Sequence, residues 1–105
     1  MDTALRKGRV VFLLRLRPDS GPRFLDAYQA VRHQVANGVP GHLMDQVCQS
    51  AEDPDEWLIT SEWATLDHFL RWEQDPAHRR LVRPMRECIA TAKSLRFVVR
   101  EETSC

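Results

Sequence analysis

The pattern of apolar and polar residues along the chain predicts that its first and last strands are apolar on both faces. The first contains an unbroken apolar run, Val10 to Leu14, inside a strand predicted over 10–17 that Pro18 ends. The last contains a nearly continuous apolar run inside a strand predicted over 94–101. Strands with apolar residues at consecutive positions are typical of sheets that are covered on both sides.

Between these strands the sequence predicts one long helix and a β-hairpin. Over residues 22–36 the apolar side chains recur every three or four positions, which places them on one stripe of a helix that ends at Asn37-Gly38. The stripe consists of Phe24, Leu25, Tyr28, Val31 and Val35. Strands over 43–50 and 56–63 then form the hairpin, joined by a turn at Asp53-Pro54-Asp55.

The rest of the chain predicts two further helices before the last strand. Thr65 caps a short helix over 66–73, and Asp75 followed by Pro76 is a strong start signal for the next helix. One side of this second helix carries Leu81, Val82, Met85, Cys88, Ile89 and Ala92. Pro84 lies within it, and we expect it to kink the helix or to split it in two, because proline has no backbone N–H to donate.

The order of these elements is strand, helix, strand, strand, helices, strand, which predicts an α+β fold of the ferredoxin-like, split βαβ type. In this fold a four-stranded antiparallel sheet has helices on one face only. The second face of a doubly apolar sheet needs a cover, and we expect a second copy of the chain, packed sheet to sheet in a homodimer. We predict a single domain over 1–105, with loose termini at 1–9 and 102–105.

The composition changes this picture only by excluding classes of partner. The chain has 105 residues, 43% of them hydrophobic and 29% charged, as in an ordinary globular domain. Its 15 basic and 15 acidic residues cancel, which gives no support to nucleic-acid or membrane binding. The three cysteines are widely spaced and the sequence shows no signal peptide, so we expect a cytoplasmic protein without disulfides.

Two short segments resemble a known family. Residues 57–69, a strand that ends in Glu62-Trp63 and leads into a short helix, and residues 75–79, Asp-Pro-Ala-His-Arg, are similar to segments of the antibiotic biosynthesis monooxygenase family. The resemblance extends over residues 10–101 and implies a dimeric α+β barrel with a pocket between helices and sheet in each subunit. Members of this family include cofactor-independent oxygenases of aromatic polyketides, haem-degrading enzymes, isomerases of small metabolites and proteins without known activity.

The chain departs from the family's pattern at three positions that bear on its chemistry. The resemblance places the family's tryptophan at Trp63, but Ile59 stands where the oxygenases have an asparagine and Phe69 where they have a tyrosine. Val82 stands where the haem-degrading members have a histidine, which excludes haem ligation at that position. The sequence contains no motif for a flavin, a metal or haem, so we expect no cofactor.

His78 is the candidate catalytic residue. A helical wheel places it on the side of Leu81, Val82 and Met85, toward the sheet, and an unperturbed imidazole pKa of about 6.5 suits a general base. The alternative is that His78, close to a helix N-terminus, only caps the helix or packs. The candidate substrate-binding residues are Trp63, Trp72, Tyr28, Phe69, Arg83 and Arg86.

Each substrate-binding candidate also has a purely structural interpretation. The aromatic residues pack equally well into a core, and an arginine on a helix is most often solvated. His42, Met44 and Cys48 share a face of the second strand, but these residue types do not form a metal-binding set, so the sequence predicts no metal site.

The sequence therefore leaves two functions open. The first is a cofactor-independent monooxygenase that acts on a small aromatic molecule, an aromatic polyketide or a quinol, in secondary-metabolite biosynthesis. The second is a non-catalytic module of the same fold, which binds such a molecule or assists its cyclisation in a polyketide pathway. The inward direction of Trp63 and His78 favours the enzyme, whereas the missing asparagine and tyrosine favour the binding module.

Overall fold

The computed structural model describes residues 6–36 and 38–104, without the side chain of Ala36. Its strands and helices follow the predicted order. They are β1 (Gly8–Leu16), α1 (Gly21–Ala36), β2 (His42–Gln49), β3 (Glu56–Trp63), α2 (Leu66–Gln74), α3 (Pro76–Leu81), α4 (Arg83–Arg86) and β4 (Ile89–Val98). Within the described ranges, no helix is long and apolar enough to cross a membrane.

The strands form one four-stranded sheet in the order β2-β3-β1-β4, and all neighbours are antiparallel. Strand β1 lies inside the sheet, where Leu13 pairs with Leu58 of β3 on one side and with Lys93 of β4 on the other. Strands β2 and β3 form the hairpin that the sequence predicts around Pro54. This topology is the ferredoxin-like α+β fold, so the predicted fold class is confirmed.

The core lies between the sheet and the helices. Alternate residues of β1 face the helices, so Leu14 and Leu16 are buried whereas Leu13 is exposed. Helix α1 supplies the matching buried stripe, which consists of Phe24, Tyr28, Val31 and Val35. Leu25, which the sequence also places on this stripe, is 40% exposed. Each fully buried side chain of this size contributes about 1.5–3 kcal/mol, so this stripe is what holds α1 on the sheet.

The opposite face of the sheet is not covered by the described part of the chain. Leu13 is 39% exposed and Phe97 is 52% exposed, although both belong to the apolar runs of β1 and β4. Glu62 lies on the same face, where its carboxylate pairs with Lys7 at 3.2 Å and with Arg9 at 2.6 Å. A single chain thus covers one side of its sheet and leaves an apolar surface with charged neighbours on the other side.

The edges of two strands differ from the prediction. Strand β4 begins at Ile89 instead of residue 94 and ends at Val98 instead of residue 101, so Ile89 and Ala92 belong to the sheet and not to a helix. Their helical spacing is outweighed by pairing with β1, in which Ala92 lies opposite Leu14. At the other end of the chain, β1 begins at Gly8, so residues 8 and 9 are part of the sheet and not of a loose terminus.

The predicted helix starts and the proline break are confirmed. The Thr65 hydroxyl accepts a hydrogen bond from the backbone N–H of His68 at 3.4 Å, and the Asp75 carboxylate accepts one from Ala77 at 2.8 Å. These caps satisfy N–H groups that have no partner inside the helix. Helix α3 ends one residue before Val82 and α4 begins one residue after it, so the helix predicted around Pro84 is split in two.

Gly41, in the turn before β2, occupies a position that does not accept a side chain. Its φ is +80°, and a Cβ atom on it would lie 2.2 Å from Cγ of His68. Gly38 has a φ of +109°, but a Cβ atom there would meet nothing within 4 Å. We expect Gly38→Ala to lower the free energy of unfolding by about 1–2 kcal/mol and Gly41→Ala by about 2–5 kcal/mol, since both strain the backbone and only the second displaces His68. Chemical denaturation of the two variants measures the difference, and equal losses would contradict it.

Candidate active site

A cavity of about 150 Å³ lies between the inner face of the sheet and the helices. Every strand and every helix of the described chain contributes to its wall. The lining residues are Val10, Phe12, Tyr28, Val31, Val35, His42, Asp45, Ile59, Ser61, Trp63, Phe69, Trp72, Glu73, His78, Val82, Met85, Arg86, Ile89 and Ser94. The wall is mostly apolar with a few polar groups, which is the composition of small-molecule sites.

The predicted site residues meet in this cavity, except for Arg83. His78, Trp63, Trp72, Tyr28, Phe69 and Arg86 all line it. Arg83 is exposed and is absent from the lining, so the structure does not bring it to the site. The reason is the break at Val82: α4 starts a new helical turn there, in which Met85 is buried and Arg86 reaches the cavity.

Aromatic side chains from β3 and α2 form one wall. Trp63, the last residue of β3, is completely buried, and its indole N–H donates to the Ser61 hydroxyl at 2.9 Å. Its ring centroid lies 5.6 Å from that of Phe69 and 5.3 Å from that of Trp72. Phe69 and Trp72 are three residues apart on α2 and therefore project from the same side of the helix. This wall offers ring faces and edges to a flat aromatic ligand.

His78 projects from α3 into the cavity, as the helical wheel predicts. Its ring centroid lies 3.6 Å from that of Trp72, and its Nδ1 atom is buried without a hydrogen-bond partner among the described residues. Burial lowers the pKa of His78 from 6.5 to about 4, and the positive charge of Arg86 acts in the same direction. The imidazole is therefore neutral at pH 7 and can accept a proton or a hydrogen bond.

A second polar group of side chains lies on the β2 side of the cavity, where the sequence predicts none. The Tyr28 hydroxyl donates to Oδ2 of Asp45. Nε2 of His42 lies 3.0 Å from Oδ1 of Asp45, but its N–H direction is not aligned for a hydrogen bond. Burial raises the pKa of Asp45 and lowers that of His42, because each charged form loses water.

A β-bulge explains why the sequence misses this group. Strict alternation along β2 puts His42 and Asp45 on opposite faces of the sheet. The pairing of β2 with β3 shifts between His42 and Met44, and this extra residue turns His42 to the same side as Asp45. A histidine and an aspartate three residues apart are a weak signal in a strand unless such a bulge is known.

The cavity opens toward β4. Two lining residues, Ser94 of β4 and Arg86 of α4, are exposed and mark this end, and Glu73 of α2 is a half-buried lining residue. Glu73 pairs with Arg96 of β4 at 3.1 Å, and the Arg96 guanidinium lies 5.6 Å from the ring centroid of Phe69. The sequence does not single out Glu73, because its partner is distant in the chain and only the fold brings the two together.

The volume of the cavity limits what it can enclose. A cavity of about 150 Å³ is large enough for one benzene ring, whereas sites for drug-sized ligands usually measure about 300–1,000 Å³. A ligand with several fused rings must therefore extend through the opening beside β4. Among residues 6–36 and 38–104, no cluster of three or more His, Cys, Asp or Glu side chains could hold a metal ion.

Comparison with known proteins identifies the family of this fold and cavity. Residues 8–84 match the family model of antibiotic biosynthesis monooxygenases. The chain belongs to the antibiotic biosynthesis monooxygenase family. Membership agrees with the resemblance seen in the segments around Trp63 and His78, both of which lie inside the matched range.

Proteins of Streptomyces are similar to this family member in sequence. The chain is 44% identical over 95 residues to a 42.8 kDa protein in the whiE locus of Streptomyces coelicolor, and the match covers 90% of the chain and 24% of the relative. It is 45% identical over 80 residues to polyketide synthase CurD of Streptomyces cyaneus, with 76% of the chain and 21% of the relative covered. The chain thus spans about a quarter of the length of the curated relatives it matches.

Solved structures of the family have the same fold. SnoaB, a cofactor-independent oxygenase from Streptomyces nogalater, superposes with a TM-score of 0.81 at 14% identity, covering 92% of the chain and 96% of SnoaB. A Caulobacter crescentus protein classed with the antibiotic biosynthesis monooxygenases gives a TM-score of 0.83 at 16% identity, with 94% of each chain covered. At these identities the likeness shows the fold.

The burial of His78 makes the stability of the protein depend on pH. Its pKa is about 4 in the folded chain and 6.5 for the free group, so between these values the unfolded chain binds more protons. The free energy of unfolding therefore falls as the pH is lowered from 6.5 to 4, by at most about 1.4 kcal/mol per pH unit from this group. We expect His78→Gln to remove this part of the slope, whereas the same change at exposed His33 keeps it. Urea unfolding at several pH values measures the slopes, and an unchanged slope for His78→Gln would contradict the assignment.

Proposed function

We propose that this chain is a cofactor-independent oxygenase that acts on an aromatic polyketide or a related quinol. The observation that carries the proposal is His78, a buried neutral imidazole that stands against Trp72 in an aromatic-walled cavity, with Nδ1 unpaired among the described residues. Two comparisons support the same class: the fold of SnoaB, a cofactor-independent oxygenase, and the sequence of CurD, a polyketide synthase.

In the proposed reaction the substrate itself supplies the electrons. His78 takes a proton from an acidic C–H or phenolic O–H group, and the resulting anion passes electrons to O2 and forms a carbon–oxygen bond. Where the reacting carbon is a ring CH2 group, the hydroperoxide then loses water and leaves a carbonyl, so one oxygen atom enters the product and the other leaves as water. With a pKa of about 4, His78 is unprotonated at neutral pH but is a weak base, so removal of the proton depends on stabilisation of the anion that forms.

The anion needs a group that stabilises its charge. Ile59 and Phe69 stand where the family's oxygenases have an asparagine and a tyrosine, and neither side chain can donate a hydrogen bond. Arg86 is the cation that lines the cavity, and its charge acts on His78, so it lies on the side where the proton is removed. A guanidinium offers several donors to a phenolate or enolate oxygen, which makes Arg86 the proposed partner of the anion.

The first test of this function is oxygen consumption by the purified, chelator-treated protein with anthrone as the probe. General-base assistance contributes about 10²–10⁴-fold to a rate. We therefore expect His78→Ala to lower kcat by at least about a hundredfold, whereas His33→Ala, at an exposed position on α1, leaves it unchanged. A wild-type rate no higher than that of His78→Ala would contradict catalysis and leave a non-catalytic binding module as the function.

We also infer that the exposed face of the sheet is covered by a second copy of the chain. Leu13 and Leu58 are neighbours on this face, Leu95 lies on the same face through its pairing with Val11, and Phe97 is half exposed beside them. Antibiotic biosynthesis monooxygenases are typically homodimers. In a two-fold symmetric dimer the same apolar face of each chain packs against that of the other, so one contact covers the exposed sheet of both chains.

Sedimentation tests the dimer. We expect the wild type to sediment as a dimer at micromolar concentration and Leu13→Glu to sediment as a folded monomer, because a charge cannot be buried between the sheets without a partner. Leu25→Glu is the matched control: Leu13 is 39% exposed and Leu25 is 40% exposed, but Leu25 lies on α1, away from the sheet. A monomeric wild type, or dimers formed equally by both variants, would exclude the proposed interface.

A further inference from the structure

The cavity has polar groups on both of its sides. Strands β2 and β4 are the opposite edges of the sheet, and the lining reaches from Asp45 on β2 to Ser94 on β4. Three strand spacings, about 14 Å in total, separate these edges, and this distance is longer than one aromatic ring. Asp45 provides a carboxyl group on the β2 side, whereas the His78 end carries charges of both signs, from Arg86 and Glu73 in the cavity wall and from Asp75 nearby.

Asp45 is held in place by its neighbours and keeps an oxygen available. The Tyr28 hydroxyl donates to Oδ2 and fixes the plane of the carboxylate. His42 stands 3.0 Å from Oδ1, but without an aligned hydrogen bond, so Oδ1 retains capacity to accept one. An ionised carboxylate is an acceptor only, and it can pair with an O–H or N–H group of a ligand but not with a second anion.

The side chains around Asp45 narrow the class of ligand group further. Val31 and Val35 of α1 and Ile59 of β3 line the same cavity, so its wall is mostly apolar, and Ser61 lies opposite Asp45 in the pairing of β2 with β3. A buried acceptor that loses water gains most from a ligand donor and loses most when the ligand has none. A hydroxyl on an aromatic ring fits these conditions, because the ring meets the walls while the O–H meets the carboxylate.

We propose that Asp45, positioned by Tyr28 and His42, is a specificity-determining residue that accepts a hydrogen bond from a phenolic hydroxyl of the ligand. The inference rests on the proposed function, since it assumes that the cavity takes an aromatic molecule. The hydroxyl bound by Asp45 lies on the β2 side, so the opposite end of the ligand is directed toward His78 and Arg86. The contact thereby sets which ring position meets the base.

A pair of equally shaped probes tests this contact without any turnover. Binding of 1-naphthol and of 1-methylnaphthalene is measured by equilibrium dialysis. The ratio of the two dissociation constants gives the preference of the protein for the ligand that carries the hydroxyl. We expect Asp45→Leu, which keeps the branched shape of the side chain and removes the acceptor, to lower the preference for the hydroxyl by about tenfold or more. Asp45→Asn keeps a weaker, neutral acceptor and lowers it by a smaller factor.

Three controls separate Asp45 from the other polar groups. Tyr28→Phe keeps the carboxylate but removes the hydrogen bond that orients it, so it should lower the preference by less than Asp45→Leu, whereas a loss equal to that of Asp45→Leu would assign the hydroxyl to Tyr28 instead. His78→Ala should keep the preference for the hydroxyl. A loss of that preference in this variant alone would indicate that the ligand hydroxyl binds beside His78 and not beside Asp45. Asp26→Asn, at an exposed position on α1, controls for the change of charge.

The outcome is distinguishable from that of the oxygen-consumption experiment. An unchanged ratio in both folded Asp45 variants, as judged by circular dichroism, overturns the role of Asp45 even if the protein consumes O2. A ratio that falls as expected in a protein without O2 consumption supports the role of Asp45 and contradicts the oxygenase alone. Absence of binding of either probe to the wild type overturns the proposal as well.

Discussion

Trp63 is the side chain on which the cavity depends, because its ring packs against β2 on one side and against α2 on the other. It is fully buried at the end of β3, with its N–H bonded to Ser61 and its ring packed edge-on against His42 of β2. On the other side it touches Phe69 and Trp72 of α2. A buried indole needs both apolar contacts and a partner for its N–H, and this position provides both. Its ring fills space between the sheet and α2, together with Val10 of β1, and so contributes to the width of the cavity.

The parts of the structure that the sequence predicts are those that rest on local rules. The stripe of α1, the hairpin around Pro54 and the caps at Thr65 and Asp75 each follow from periodicity or from a backbone N–H that needs an acceptor. The inward position of His78 follows from the same arithmetic, because α3 is regular up to its break. These features follow from residues that are close to one another in the sequence.

The features that the sequence misses depend on pairing between distant residues. Ile89 continues a helical stripe by its spacing, yet pairing with Leu16 of β1 makes it the start of a strand. His42 joins Asp45 only because a bulge against β3 turns it inward, and Glu73 meets Arg96 only across the sheet. His42, Asp45 and Glu73 are therefore not predicted as cavity residues, since each is placed by a contact that no local pattern encodes.

The polar groups that line the cavity are costly to bury, and this cost indicates where the polar groups of a ligand would bind. Nδ1 of His78 is buried with no partner among the described residues, and an unmade hydrogen bond of this kind costs about 1–3 kcal/mol. Burial also works against the charge of Asp45. An apolar residue at either position would avoid this cost. The presence of polar residues there is explained if a ligand provides their hydrogen-bond partners.

The ion pair at the opening bears on the size of that ligand. Glu73 and Arg96 are about two-fifths exposed, at 36% and 43% of their side chains, and surface pairs of this kind contribute only about 0–1 kcal/mol. Binding energy from a second or third aromatic ring exceeds that amount, because burying apolar area contributes about 25 cal/mol per Å². The closed volume of about 150 Å³ is therefore not the upper limit for a ligand. A fused-ring molecule can separate Glu73 from Arg96 and occupy the opening, with Phe69 beneath it in place of the guanidinium.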